Sequence, residues 1–304
     1  MPSTSERTTM SSSPRIGLAL GSGAARGWSH IGVIRALEQA GIVPEVVCGT
    51  SIGALVGAAY AAERLPQLET WVRGLTWTAI ARDLIDWRLS GGLIQGAKLI
   101  DFFRSHFEDK GIEALPRRFA CVATELTTGR EVWLQEGSVI DAVRASVAVP
   151  GLLTPVLRGE RLLVDGGLVN PVPVSLCRAL GAEIVIAVDL NWDLIGRRAK
   201  VPALPAAASG PTQSSLIEKV FGRFRERVHA GPELPSVLDV LTTSLNVMQV
   251  RITQSRLAGE PADVLVRPRL SGIAAMDFHR AAAAIAEGER AGQQAVSWVK
   301  DLLQ

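Results

Sequence analysis

Residues 52–62, Ile-Gly-Ala-Leu-Val-Gly-Ala-Ala-Tyr-Ala-Ala, have helical composition and no charged side chain on any face. A helix without a polar stripe cannot lie on a surface and has to be covered all round. It follows a short apolar run of strand type, Val46-Val-Cys-Gly49, and a serine between glycines joins the two. The chain must therefore enclose a helix between other layers, and that requires a large core. With 304 residues, 47% hydrophobic and 20% charged, it can build one.

Strand and helix signals alternate from Arg15 onward. Arg15–Gly21 reads as a strand and Ala25–Ala40 as a helix. Phe119–Leu126 and Glu131–Gln135 read as strands joined by the turn Thr127-Thr-Gly129. A helix over Val139–Val149 stops at Pro150, a strand over Arg161–Val164 ends in Asp165-Gly-Gly167, and Pro173–Leu180 is helical. Glu183–Asp189 is nearly pure Val/Ile. Strands apolar on both faces are buried parallel strands, so an α/β layered domain is expected.

Four regions follow: a Ser/Thr-rich tail over 1–14, expected to be disordered and lacking the apolar core of a signal peptide; the sheet domain over 15–191; a flexible loop with an amphipathic helix over 192–235; and helices packing back over 236–304. Within the third, Leu216–Val228 sets an apolar face against Lys219, Arg223 and Arg227, as a docked surface helix or an interfacial lid does. Pro66–Ala81 and Ala97–His106 are further expected helices. Trp71, Trp77, Trp87, Phe102 and Phe103 in this region read as core or as the wall of an apolar channel.

Several function classes fall away. The net charge of +2 is too balanced for a nucleic-acid binder. Cys48, Cys121 and Cys177 sit far apart in apolar runs and read as inert buried thiols in a reducing, cytoplasmic compartment. No metal is expected, because Asp, Glu and His do not cluster at ligand spacing, and no cofactor is called for. The most apolar stretch, residues 52–62, is shorter than the ~18 residues of a spanning helix.

The chemistry concentrates in three places. Gly49-Thr-Ser51-Ile-Gly53 fits G-x-S-x-G between a strand and a helix, the setting of a nucleophile elbow. There the helix N-terminus and the N–H of Ile52 would face a developing oxyanion. Gly21-Ser-Gly-Ala-Ala-Arg-Gly27 again follows a strand and precedes a helix. It departs from the dinucleotide fingerprint at Arg26, with glycine one residue late, and fits an anion-binding turn better. The histidines are poorly placed as bases: His106 and His279 lie beside aromatics, His229 falls in the flexible region, and His30 packs behind the turn. Asp165, at a strand end before Gly166-Gly167, is the better partner for Ser51, although a carboxylate near pKa ~3.9 is a weak base.

Glycine-rich turn, G-x-S-x-G and D-G-G in this order resemble the patatin-like phospholipases, in particular their bacterial branch, over about Ile16–Asn191. The stretch from Leu245 to His279 is similar to that branch with lower specificity. The resemblance implies a three-layer α/β/α patatin-like sheet domain followed by C-terminal helices. It implies Ser51 as nucleophile, Asp165 as its proton acceptor, no catalytic histidine, and oxyanion donors at Gly23, Ala24, Ala25 and Arg26. The family's triple-glycine turn reads Ser22-Gly23-Ala24 here. The expected substrate is a phospholipid, lysophospholipid or other lipid ester, met in transient contact with a membrane surface. An acyltransferase with the same nucleophile, or a silent lipid- or nucleotide-binding module, are the alternatives. Oligomeric state is open.

Overall fold

The computed structural model describes residues 14–76, 109–195 and 237–304. Eight strands form one mixed sheet: β1 (Ile16–Leu20), β2 (Val46–Thr50), β3 (Arg118–Glu125), β4 (Glu131–Leu134), β5 (Val156–Arg158), β6 (Arg161–Asp165), β7 (Ile184–Val188) and β8 (Val264–Val266). Their spatial order is β5-β6-β3-β2-β1-β7-β8, with β4 paired to β3 off this path. The strands β3-β2-β1-β7-β8 are mutually parallel, while β4 and β6 run antiparallel to β3. The sheet thus continues past Leu190, where the sequence signals stop. β8 comes from the C-terminal region and is only three residues long, too short to show a period.

Alternation along the strands builds two cores. Leu18, Leu20, Val47 and Cys121 face one layer, and Ala19, Val46, Cys48, Ala120 and Val122 face the other. With both faces covered, the architecture is the expected three-layer α/β/α. The first layer holds α1 (Ser29–Gln39), α2 (Ile52–Ala61), α4 (Val139–Ser146) and α7 (Ala281–Leu302); α3 (Leu65–Arg73) borders it. α5 (Val174–Ala179) covers the opposite face, and α6 (Val237–Gly259) passes beside the carboxyl ends of the strands. Every residue of α2 is buried, as its composition requires.

The C-terminal helix is part of this core. A Cβ on Gly32 of α1 would strike the carbonyl of Ile285, and one on Gly288 would strike that of Ser29. α1 and α7 therefore cross nearly backbone to backbone. The helical signal of Ala25–Ala40 resolves into a 3-10 turn at Ala24–Trp28 and then α1. The expected tail over 1–14 (all but Pro14), the Leu216–Val228 helix, the Ala97–His106 helix, and Trp77, Trp87, Phe102, Phe103, His106 and His229 lie outside the described residues. No helix among the described residues is long and apolar enough to cross a membrane.

Candidate active site

The sheet reverses direction of growth at β1, which pairs with β2 on one side and β7 on the other. Carboxyl ends of strands at such a point open a crevice. The turn after β1 and the residue after β2 both lie at it. Register brings in the third element. Thr50 pairs with Val122, and Ala123 pairs with Asp165, so Ser51 and Asp165 flank β3 at one level.

Ser51 sits on a sharp strand-to-helix turn with φ 58° and ψ −126°, a conformation that L residues with side chains avoid. The flanking glycines make the turn possible. A Cβ on Gly49 would meet the backbone of Gly53 and Ala54, and one on Gly53 would meet the carbonyl of Leu20. Ser146, fully buried on α4, holds the strained peptide. Its hydroxyl accepts from Ser51 N–H at 2.9 Å and donates to Val122 O at 2.7 Å. Thr50 Oγ1 donates to Asn170 O from the preceding residue.

Ser51 Oγ donates to Asp165 Oδ2 at 2.5 Å, and the other carboxylate oxygen accepts from Gly167 N–H at 2.7 Å. Asp165 is 2% exposed. Burial pushes its pKa up to about 6, against the opposing hydrogen bonds from Ser51 and Gly167. The carboxylate is thus a stronger base than a solvated one and still ionised at neutral pH.

The turn after β1 offers fewer free donors than its sequence implies. Ala25 N–H donates to Ala275 O and Arg26 N–H to Gly23 O. The N–H groups of Gly23, Ala24 and Ile52 find no acceptor among the described residues. Ala24 at φ 50° turns the chain here. Sequence does not report which way a peptide plane faces, and two of the five expected donors are engaged inside the protein.

His30 stands behind the turn. It is fully buried, and its Nε2 donates to Gly21 O at 2.8 Å. Burial lowers its pKa to about 4, so it is a neutral brace for the turn at physiological pH. Arg26 is 3% exposed and donates from Nη2 to Asn246 Oδ1 at 3.2 Å. Burial lowers its pKa to about 10, opposed by Asp193, and leaves it cationic.

A cavity of about 250 Å³ reaches Ser51. Ser22, Arg26, Asn246 and Gln249 make one polar end, and Trp28, Leu55, Trp71, Leu153, Leu245 and Phe278 make apolar wall. Trp28 packs edge-on against Trp71 and Phe278, with centroids 6.3 and 6.0 Å apart. Trp71 is therefore channel wall as well as packing. Ser146, Asn246 and Gln249 carried no motif in the sequence. Their roles depend on contacts 95 to 227 residues apart in the chain. No group of three or more His, Cys, Asp or Glu among the described residues is arranged to hold a metal ion.

The family model described as patatin-like phospholipase matches residues 18–178. An uncharacterized NTE family protein of Mycobacterium tuberculosis is 34% identical over 337 residues, covering 95% of this chain and 93% of the relative. Patatin-like phospholipase domain-containing protein 6 of Mus musculus is 37% identical over 183 residues, which is 58% of this chain and 13% of that protein. Among solved structures, VipD from Legionella pneumophila superposes with a TM-score of 0.52 at 12% identity, over 94% of this chain and 67% of that one, a likeness of fold. The broad class is lipid hydrolase, and the chain belongs to the patatin-like phospholipase family.

Proposed function

We propose that the chain hydrolyses fatty-acyl esters of phospholipids or lysophospholipids through a Ser51–Asp165 dyad and an acyl-enzyme. The observation that supports this most is the 2.5 Å contact between Ser51 Oγ and a buried carboxylate, at a strained turn on a helix N-terminus. In this reading Asp165 Oδ2 takes the hydroxyl proton as Ser51 Oγ bonds to the ester carbon. The N–H groups of Gly23, Ala24 and Ile52, with the α2 dipole, receive the oxyanion. The bond from carbon to the leaving oxygen then breaks, and Asp165 returns the proton to the departing alcohol. Water repeats the sequence on the acyl-enzyme and releases the fatty acid. The apolar wall suits the acyl chain, and the Arg26 cation at the polar end suits an anionic phosphodiester.

Two measurements test the reading. A fluorophosphonate probe is expected to modify Ser51 alone, located by peptide mass, and phosphatidylcholine and lysophosphatidylcholine vesicles should release free fatty acid. Labelling at another residue, or labelling without ester turnover, would overturn it. Adding an alcohol or thiol acceptor and following acyl transfer separates a hydrolase from an acyltransferase.

The pH dependence carries a definite sign. Asp165 has to be ionised to accept the proton, and its pKa stands near 6. On an uncharged ester, kcat/KM should be level at neutral pH and fall about tenfold per pH unit below about 6. A profile flat down to pH 4.5 would remove Asp165 from the role of base.

A further inference from the structure

α6 brings one further polar side chain to the reacting groups. Gln249 projects from it into the cavity, and its amide oxygen is fully engaged. Oε1 accepts from Ser22 Oγ at 3.0 Å and from Asn191 Nδ2 at 3.1 Å. The same Asn191 nitrogen donates to Ser22 O at 3.2 Å, so it must be the nitrogen that faces inward, and the Gln249 amide cannot be turned over. Nε2 therefore points the other way and finds no acceptor among the described residues. Its position is closely bounded: Nε2 lies 2.5 Å, and Asp165 Oδ1 2.9 Å, from the point where a Cβ on Gly167 would stand. A donor with no acceptor among the described residues thus stands beside Asp165 at the cavity that Gln249 lines. The glycine at 167 leaves room for it.

The tetrahedral centre on Ser51 has two distinct sides. The oxyanion belongs on the side of Gly23, Ala24 and the N-terminus of α2. The departing oxygen belongs beside Asp165, which must hand it a proton. Gln249 Nε2 stands beside Gly167 and Asp165 Oδ1, the carboxylate's side of that centre. We infer that Gln249 donates a hydrogen bond to the leaving-group oxygen of the ester, stabilising its growing charge while Asp165 protonates it. No proton leaves the amide: the carbon–oxygen bond breaks, the pair stays on oxygen, and the proton comes from Asp165. This rests on the dyad reading above and adds a substrate-contacting residue to it.

The test uses the full chain and two substrates with one acyl group, an oxygen ester and the matching thioester. Sulfur is a weak acceptor and profits little from the amide. Gln249→Met, close in size but without a donor, should lower kcat/KM on the oxygen ester about 10- to 100-fold. On the thioester the change should stay within about threefold. Gln249→Leu, which also lacks the N–H and adds no charge beside Asp165, should show the same selective loss, with the melting temperature of each variant reporting the worth of the anchor to Ser22 and Asn191. Equal losses on both substrates would reduce Gln249 to an anchor for the turn and overturn the inference, as would no loss on either. Activity persisting in Ser51→Ala would instead sink the dyad reading, so the two failures are distinct.

Discussion

Asp165→Asn is expected to destroy activity and raise stability together. The amide keeps the size of the carboxyl group. Its oxygen can still accept from Gly167 N–H, and its nitrogen can donate to Ser51 Oγ in place of the contact now made at 2.5 Å. What vanishes is the proposed base. A positioned general base contributes up to about 10⁴-fold, and His30, committed to Gly21 O, is not free to replace it. The expected loss in kcat/KM is therefore about 10⁴-fold.

The stability change follows from the same burial. Asp165 has its pKa raised to about 6 in the folded chain, against 3.8 unfolded. The folded state therefore binds the proton more tightly. Its relative stabilisation is complete below the unfolded value and is lost as pH rises through about 6. Above that, the fold holds a desolvated charge at a cost of about 2–3 kcal/mol. Asparagine carries no such cost, so at pH 8 the variant should melt roughly 5 °C higher than the native chain. At pH 4 the gain should disappear. Melting curves at the two pH values check this, and a variant less stable at pH 8 would show that the charge is compensated by more than its two hydrogen bonds.

The parts of this site legible in the sequence are those fixed by short-range sterics. Gly49, Gly53 and Gly166 are required where backbones nearly touch, and Gly27 lies against the Ile52 side chain. Spacing, read with its strand and helix context, therefore points to the elbow and the D-G-G strand end. The all-apolar α2 likewise declares its burial. The rest depends on information that spacing does not hold. Peptide-plane orientation decides that Ala25 and Arg26 spend their N–H groups internally while Gly23 and Ala24 do not. Ser146 looks like any helical serine until α4 is docked against β3 and Ser51. Gln249 lies in a helix whose exposed face is also apolar, with Val240, Leu241, Val247 and Met248, so hydrophobic periodicity gives no hint of its polar inner row. β8 is too short to signal itself, and only pairing with β7 makes it a strand.

The second large effect concerns the backbone of Ser51. Ser51→Ala and Ser51→Gly both remove the atom proposed to form the acyl-enzyme, and each should lower kcat about 10⁶-fold. They should differ in stability. Alanine keeps a Cβ at φ 58° and ψ −126°, whereas glycine adopts that conformation without steric cost. Strain of this kind amounts to about 1–3 kcal/mol. Glycine gives back about 0.5–1 kcal/mol through the freer unfolded chain. The glycine variant should therefore be more stable than the alanine variant by about 1 kcal/mol. Because both lack Oγ, both leave Asp165 without its hydroxyl donor, and both retain the main-chain N–H that Ser146 accepts. The comparison thus isolates the turn itself. Denaturant unfolding of the pair at one pH provides the measurement. If glycine gains nothing, the turn is relaxed, and the outward projection of the Ser51 side chain depends on Ser146 and the helix N-terminus instead of on a backbone held out of its preferred conformation.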